Sequence, residues 1–120
     1  MENTDPRMLA LKIAEILDNK KAEDIQILEV GHLTSVTEYF VIATGRNVQA
    51  VHALYEDVTD KLNEIGIQMR RNDGVRESRW IVLDYSSVIV HIFHPDERSF
   101  YNIERLWNDG SNIVPFESID

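Results

Sequence analysis

Tyr39-Phe40-Val41-Ile42-Ala43-Thr44-Gly45 is an unbroken apolar run closed by a glycine. Arg46-Asn47 follow, and then Val48, Val51, Leu54, Tyr55, Val58, Leu62 and Ile65 recur at steps of three or four. This stretch decides the fold class. A continuous apolar run is the pattern of a strand buried on both faces of a sheet. Asn47 is a good helix cap, and the apolar stripe after it predicts an amphipathic helix over 48–65. Gly66 is placed to end that helix. Ile67–Arg70 predicts a short strand, so the whole unit predicts a right-handed crossover between parallel strands.

Upstream, Asp5-Pro6 marks a helix start, with Asp as cap and Pro at the first helical position. Leu9, Ile13, Ile16 and Leu17 supply its apolar side, which fades at Asn19-Lys20-Lys21. Asp24–Val30 is rich in Ile, Leu and Val and predicts a strand. Gly31–Thr37 is a loop. Downstream, Arg71–Arg79 is polar and predicts a loop through Gly74. Trp80–Tyr85 and Val88–Phe93 predict a hairpin about Ser86-Ser87. Pro95 opens a last helix with Asp96 and Glu97 at its positive end. Phe100, Ile103, Leu106 and Trp107 form its stripe, and Asp109-Gly110 stops it. The expected order is α-β-β-α-β-β-β-α. That is an α/β (α+β) domain with a mixed sheet of about five strands flanked by helices. One domain covers 1–120, with its core over about 5–108 and a loop tail at 109–120.

The chain has 120 residues, a usual size for one domain. Twelve Lys and Arg against 21 Asp and Glu give a net charge of −9, which argues against a general nucleic-acid binder. A basic protein partner fits that charge. The absence of cysteine removes disulfides, thiol nucleophiles and thiolate zinc sites, and fits a reducing cytoplasm. No apolar run approaches the roughly 18–20 residues of a membrane-spanning helix. Met1–Pro6 has neither the basic nor the apolar region of a signal peptide, so none is expected.

The residues offer little chemistry. The five glycines are scattered and build no phosphate loop. Gly45-Arg46-Asn47 lies where a strand meets a helix, a place that can hold an anion, but an ordinary tight turn accounts for it. Strand-Gly-helix is also how nucleotidyl-transfer domains begin. Their two metal ions need carboxylates aimed the same way, at i and i+2 on a strand. No acidic residue in the chain has another two positions away. His91 and His94 would point to opposite faces of a strand, with His94 bonding locally at the strand–helix junction. His32 and His52 have no partner at ligand spacing, and no Gly-x-Ser-x-Gly elbow is present. No catalytic, cofactor-binding or metal-binding residue is therefore assigned.

Surface recognition is what remains. One face of the strand 80–85 carries Trp80, Val82 and Asp84; the other carries Ile81, Leu83 and Tyr85. Tryptophan beside a carboxylate and Arg76 and Arg79 is a composition found at interface hot spots. Packing of Trp80 beneath a helix explains it equally well. Arg98, Tyr101 and Arg105 share a stripe of the last helix, either as a solvated face or as a partner contact.

Three segments carry a resemblance. Leu33-Thr34-Ser35-Val36-Thr37-Glu38-Tyr39-Phe40-Val41-Ile42-Ala43-Thr44-Gly45 resembles the "LTSxTDYFVIASG" segment of the ribosomal silencing factor (RsfS, or Iojap) family. Arg79–Tyr85 resembles its tryptophan strand. Val90–Trp107 resembles its "HVFHPExRxFYxLExLW" signature. Glu38, Thr44, Ser78 and Ser86 depart from the family, which usually has Asp, Ser, Gly and Gly there. The resemblance implies a nucleotidyltransferase-like fold without catalytic residues, and a cytoplasmic bacterial or organellar protein that is not an enzyme. It implies a translational repressor that binds the large ribosomal subunit through ribosomal protein number fourteen (L-fourteen) and blocks joining of the small subunit. A secondary contact with ribosomal RNA and a homodimer off the ribosome are compatible with it; a membrane partner is not. A nucleotide-dependent enzyme on the same fold is the competing class. Within this resemblance Trp80, Val82 and Asp84 are expected at the centre of the contact, with Arg79, Arg98 and Tyr101 also taking part. Asp84, with Asp96 or Glu97, is expected to meet a basic group of the partner, so that charge reversal at Asp84 matters more than at Asp120.

Overall fold

The computed structural model describes residues 5–117, and Met1–Thr4 and Ser118–Asp120 lie outside the described residues. The reading of the N-terminus beyond Asp5, the end of the tail and the comparison site Asp120 fall there. Helix α1 spans Pro6–Asn19 and strand β1 Glu23–Glu29. Strand β2 is Tyr39–Thr44 and helix α2 Val48–Glu64. Strands β3 (Arg71–Asp73), β4 (Trp80–Asp84) and β5 (Val88–Phe93) follow. Helices α3 (Pro95–Tyr101) and α4 (Ile103–Trp107) and strand β6 (Ile113–Val114) complete the order.

The sheet runs β3-β4-β5-β2-β1-β6. β2 and β5 are parallel, Tyr39 opposite Val88 through Thr44 opposite Phe93; the other neighbouring pairs are antiparallel. All of β2 is buried, because it lies inside the sheet with both faces covered. Tyr39, Val41 and Ala43 join the core under α1 and α2, whereas Phe40 and Ile42 join a smaller cluster with Ile103 and Trp107 of α4. The continuous apolar run is the sequence image of that double covering.

The cap signals are realised as bonds. Asp5 accepts from the Arg7 N–H at 3.2 Å, and Asn47 accepts from Ala50 N–H at 2.8 Å. After α2, Ile67 N–H reaches the Leu62 carbonyl and Gly66 N–H that of Asn63, with Gly66 at φ +83°. That double bond is the Schellman ending, which a left-handed glycine permits. Gly45 has a different reason. A Cβ there would lie 2.8 Å from the Val51 backbone nitrogen, so the glycine lets the first turn of α2 press onto the end of β2. Gly45→Ala should destabilise the domain by about 1–3 kcal/mol through overpacking against backbone. Urea unfolding of the two proteins checks it; equal midpoints would show that the turn yields without cost.

Three expectations need correction. Ile67–Arg70 is not a strand. The strand after α2 is Arg71–Asp73, which pairs with β4 at the sheet edge, separated from β2 by two strands although pointing the same way. The partner that lies parallel beside β2 is β5. Arg71, Asn72 and Asp73 are all exposed, so no apolar alternation betrays the strand. Second, the last helix is two. Asn102 sits in the left-handed region (φ 46°, ψ 53°), which asparagine tolerates better than most residues, and its N–H ends α3 on the Arg98 carbonyl at 2.8 Å. The bend splits the stripe: Ile103 is buried and Trp107 half-buried, whereas Phe100 and Leu106 are 80% and 77% exposed. Third, the tail is not all loop. Ile113–Val114 pairs with β1, so the sheet has six strands among the described residues. Asn112 pins it, its side-chain N–H group donating to the carbonyls of Glu29 and Trp107, both at 2.8 Å.

Candidate protein-docking face

Alternation along β4 separates the two faces of the strand. Ile81, Leu83 and Tyr85 enter the main core under the helices. Burial there pushes the Tyr85 hydroxyl up to about 12. Trp80, Val82 and Asp84 lie on the opposite face. Hairpin register sets Phe93 beside Trp80, His91 beside Val82 and Ile89 beside Asp84. The α3–α4 elbow covers part of this face, over Phe40 and Leu28, and leaves Trp80, Val82 and Ile89 half-buried.

Trp80 is the centre of an aromatic cluster. Its ring stacks on Phe93 at 4.8 Å and 27°, and meets Tyr101 of α3 at 4.8 Å. The two readings of Trp80 thus meet: it leans on α3 and also borders the open face. The Trp80 indole Nε1–H donates to Nδ1 of His91 at 3.2 Å. The His91 ring is edge-on to Phe40 at 4.8 Å and parallel to Phe93 at 6.2 Å. Burial pushes the imidazole down to about 4, so it is neutral at physiological pH.

The charged residues expected at the contact are mostly held by the chain itself. Asp84 is buried; it pairs with the Arg71 Nε at 3.2 Å and accepts from the Ser86 N–H at 2.8 Å. Both of its oxygens therefore have partners, one on β3 and one in the hairpin turn. Arg98, far from lying on a solvated stripe, turns inward. Its guanidinium donates to Glu104, to the Asp24 carbonyl and to the Thr44 hydroxyl at 2.8, 2.6 and 2.8 Å. It ties the elbow to β1 and β2. Arg79 bonds Glu97 at 2.5 Å and comes within 3.8 Å of Asp96, which holds the Glu97 carboxyl below its usual range. Tyr101 and Asp96 remain exposed, and so does Arg76.

The histidines divide as the sequence implied in one case and not in another. His94 caps α3, its Nδ1 accepting from the Asp96 N–H at 3.1 Å. His32, read as lacking a partner, bonds Asp109 at 2.6 Å, and that bond holds the aspartate below its usual range. No sequence spacing could reveal it, because 77 residues separate the two. His52 lies 3.8 Å from Glu56, one helical turn on. The described residues contain no group of three or more His, Asp or Glu placed to hold a metal ion, and none of their helices is long and apolar enough to cross a membrane.

Sequence reasoning missed His91, although the signal was present. The two-residue hairpin about Ser86-Ser87 fixes its place across from Val82 and diagonal to Trp80. Ser78 and Ser86 are informative in another way. Both lie at positive φ, 56° and 71°, a region that suits glycine better than serine. The backbone keeps the turn and carries the strain that glycine would avoid.

A family model described as "Ribosomal silencing factor during starvation" matches residues 3–120. The ribosomal silencing factor RsfS of Bacillus subtilis is 43% identical over 100 residues, 82% of this chain and 85% of that protein. The chloroplastic protein Iojap of Arabidopsis thaliana is 31% identical over 97% of this chain, which spans 49% of that longer protein. A crystal structure of a Chromobacterium violaceum protein superposes with a TM-score of 0.84 at 30% identity, covering 98% of both chains. One from Bacillus halodurans gives 0.75 at 32% identity, over 92% of this chain and 96% of that one.

Proposed function

The chain belongs to the ribosomal silencing factor family, and from that we propose that it binds the large ribosomal subunit at ribosomal protein number fourteen. Bound there, it keeps the small subunit from joining and represses translation. It acts by binding and not by a reaction, in the bacterial cytoplasm. The observation that supports this reading is the half-covered aromatic face of β4 and β5. Trp80 and Val82 are apolar, adjacent and accessible, in the arrangement that interface anchors take. Tyr101 borders them, and Arg79 lies at the rim. Asp84 and Arg98 serve this face from beneath, by holding the hairpin and the elbow that shape it.

Charge supports the same orientation. Residues 70–107, which carry most of this face, contain six arginines and six carboxylates. The net charge of −9 therefore belongs entirely to the rest of the chain. A neutral, apolar face suits a protein surface set among RNA, with exposed Arg76 free to meet a phosphate. A homodimer off the ribosome would cover the same face.

The test is sedimentation of purified protein with isolated large subunits, followed by addition of small subunits. Binding to large subunits alone and a fall in joined ribosomes are expected. Equal binding to small subunits, or undiminished joining at saturating protein, would overturn the proposal.

A further inference from the structure

We propose that His91 is the positioning residue of the docking face: its Nδ1 holds the Trp80 indole by accepting the Nε1–H, and so fixes the ring plane offered to the partner. This rests on Trp80 being a docking residue, as proposed above. An imidazole that accepts at Nδ1 and is neutral must carry its proton at Nε2. That Nε2 is buried and has no hydrogen-bond partner among the described residues. Its surroundings include the rings of Phe40, Phe93 and Trp80. A buried donor left unpaired is unfavourable, so phenylalanine would suit this pocket better if packing were all that mattered. What histidine supplies and phenylalanine lacks is an acceptor for the indole.

The consequence for recognition is specific. Phe93 supports one side of the Trp80 ring and Tyr101 lies alongside it, while His91 occupies its only polar atom. Trp80 therefore meets its partner as a carbon surface, with no hydrogen bond to give. Without His91 the ring is free to turn its N–H outward, and the partner must then order the ring and desolvate its donor.

Two variants separate positioning from packing. His91→Phe keeps an aromatic ring and removes the acceptor. His91→Asn places a carbonyl oxygen near the position of Nδ1 and loses volume. Two readouts are used: exchange protection of the Trp80 indole proton in the 15N-labelled protein, and affinity for large subunits. The second tryptophan signal is assigned with Trp107→Phe. In His91→Phe the indole proton should exchange roughly tenfold faster and affinity should fall about fivefold, the range of one lost hydrogen bond. His91→Asn should keep a protected indole and bind within about twofold of the parent, although it is the less stable variant. A purely structural role gives the opposite ranking, with affinity following stability, and would overturn the proposal. So would an unprotected Trp80 indole in the unaltered protein, a result that needs neither variant to fold. If the unaltered protein fails to bind large subunits while the indole is protected in it and exposed in His91→Phe, the docking reading fails and the positioning contact stands.

Discussion

Trp80→Ala should lose about thirtyfold to nearly a thousandfold in affinity for the large subunit, equivalent to roughly 2–4 kcal/mol, while remaining folded. The size of the effect follows from where the ring sits. It is half-buried, stacked on Phe93 and flanked by Tyr101, so its orientation is set before any partner arrives. An anchor that is already ordered spends little entropy on binding. The fold should survive because the main core is elsewhere: β4 contributes Ile81 and Leu83 to it, both fully buried. Circular dichroism and a thermal melt verify that, and sedimentation measures the binding. A folded Trp80→Ala protein with parental affinity would remove this face from the contact.

The second large effect is on stability against pH. His91 titrates near 4 when folded and near 6.5 when unfolded. Below 6.5 the unfolded chain takes a proton that the folded one refuses. The stabilisation is therefore complete above about pH 6.5 and is lost progressively as pH falls through 4. The whole shift is worth about 3 kcal/mol, a large share of a typical domain's stability. Glu97 and Asp109 also have lowered values, through Arg79 and His32, but carboxylates titrate in a lower window. Urea midpoints between pH 7 and 4.5 should fall steeply for the parent and much less for His91→Phe. Parallel curves for the two would show that the imidazole is not the source.

The sequence made the central elements legible wherever burial imposes a period. β2 and β5 have the expected limits, and α1 and α2 begin at Pro6 and Val48 as their caps dictate. Burial could not mark Arg71–Asp73, which is exposed on both faces, or the break at Asn102, a backbone choice within an otherwise helical pattern. β6 is only two residues long and is held by Asn112, whose bond to Glu29 joins residues 83 apart in the chain. The candidate site divides in the same way. Alternation placed Trp80 and Val82 on one face of the strand but did not say which face is open, because both faces carry large apolar groups. The inward turn of Arg98 was not legible, because two of its partners, Asp24 and Thr44, lie 74 and 54 residues away, and the third, Glu104, is reached only across the bend at Asn102.

The uneven placement of charge gives the molecule a permanent direction. Helix α2 packs on the side of the sheet opposite Trp80, and there Glu56, Asp57, Asp60 and Glu64 are set against a single Lys61. Near a polyanion such a body feels a torque as well as a repulsion. The torque swings the acidic side outward and leaves the neutral aromatic side leading. Raising the salt concentration shortens the reach of both, to about 8 Å at physiological ionic strength. Slow approach and correct heading therefore have one origin. A variant made less acidic on α2 would arrive faster and aim worse.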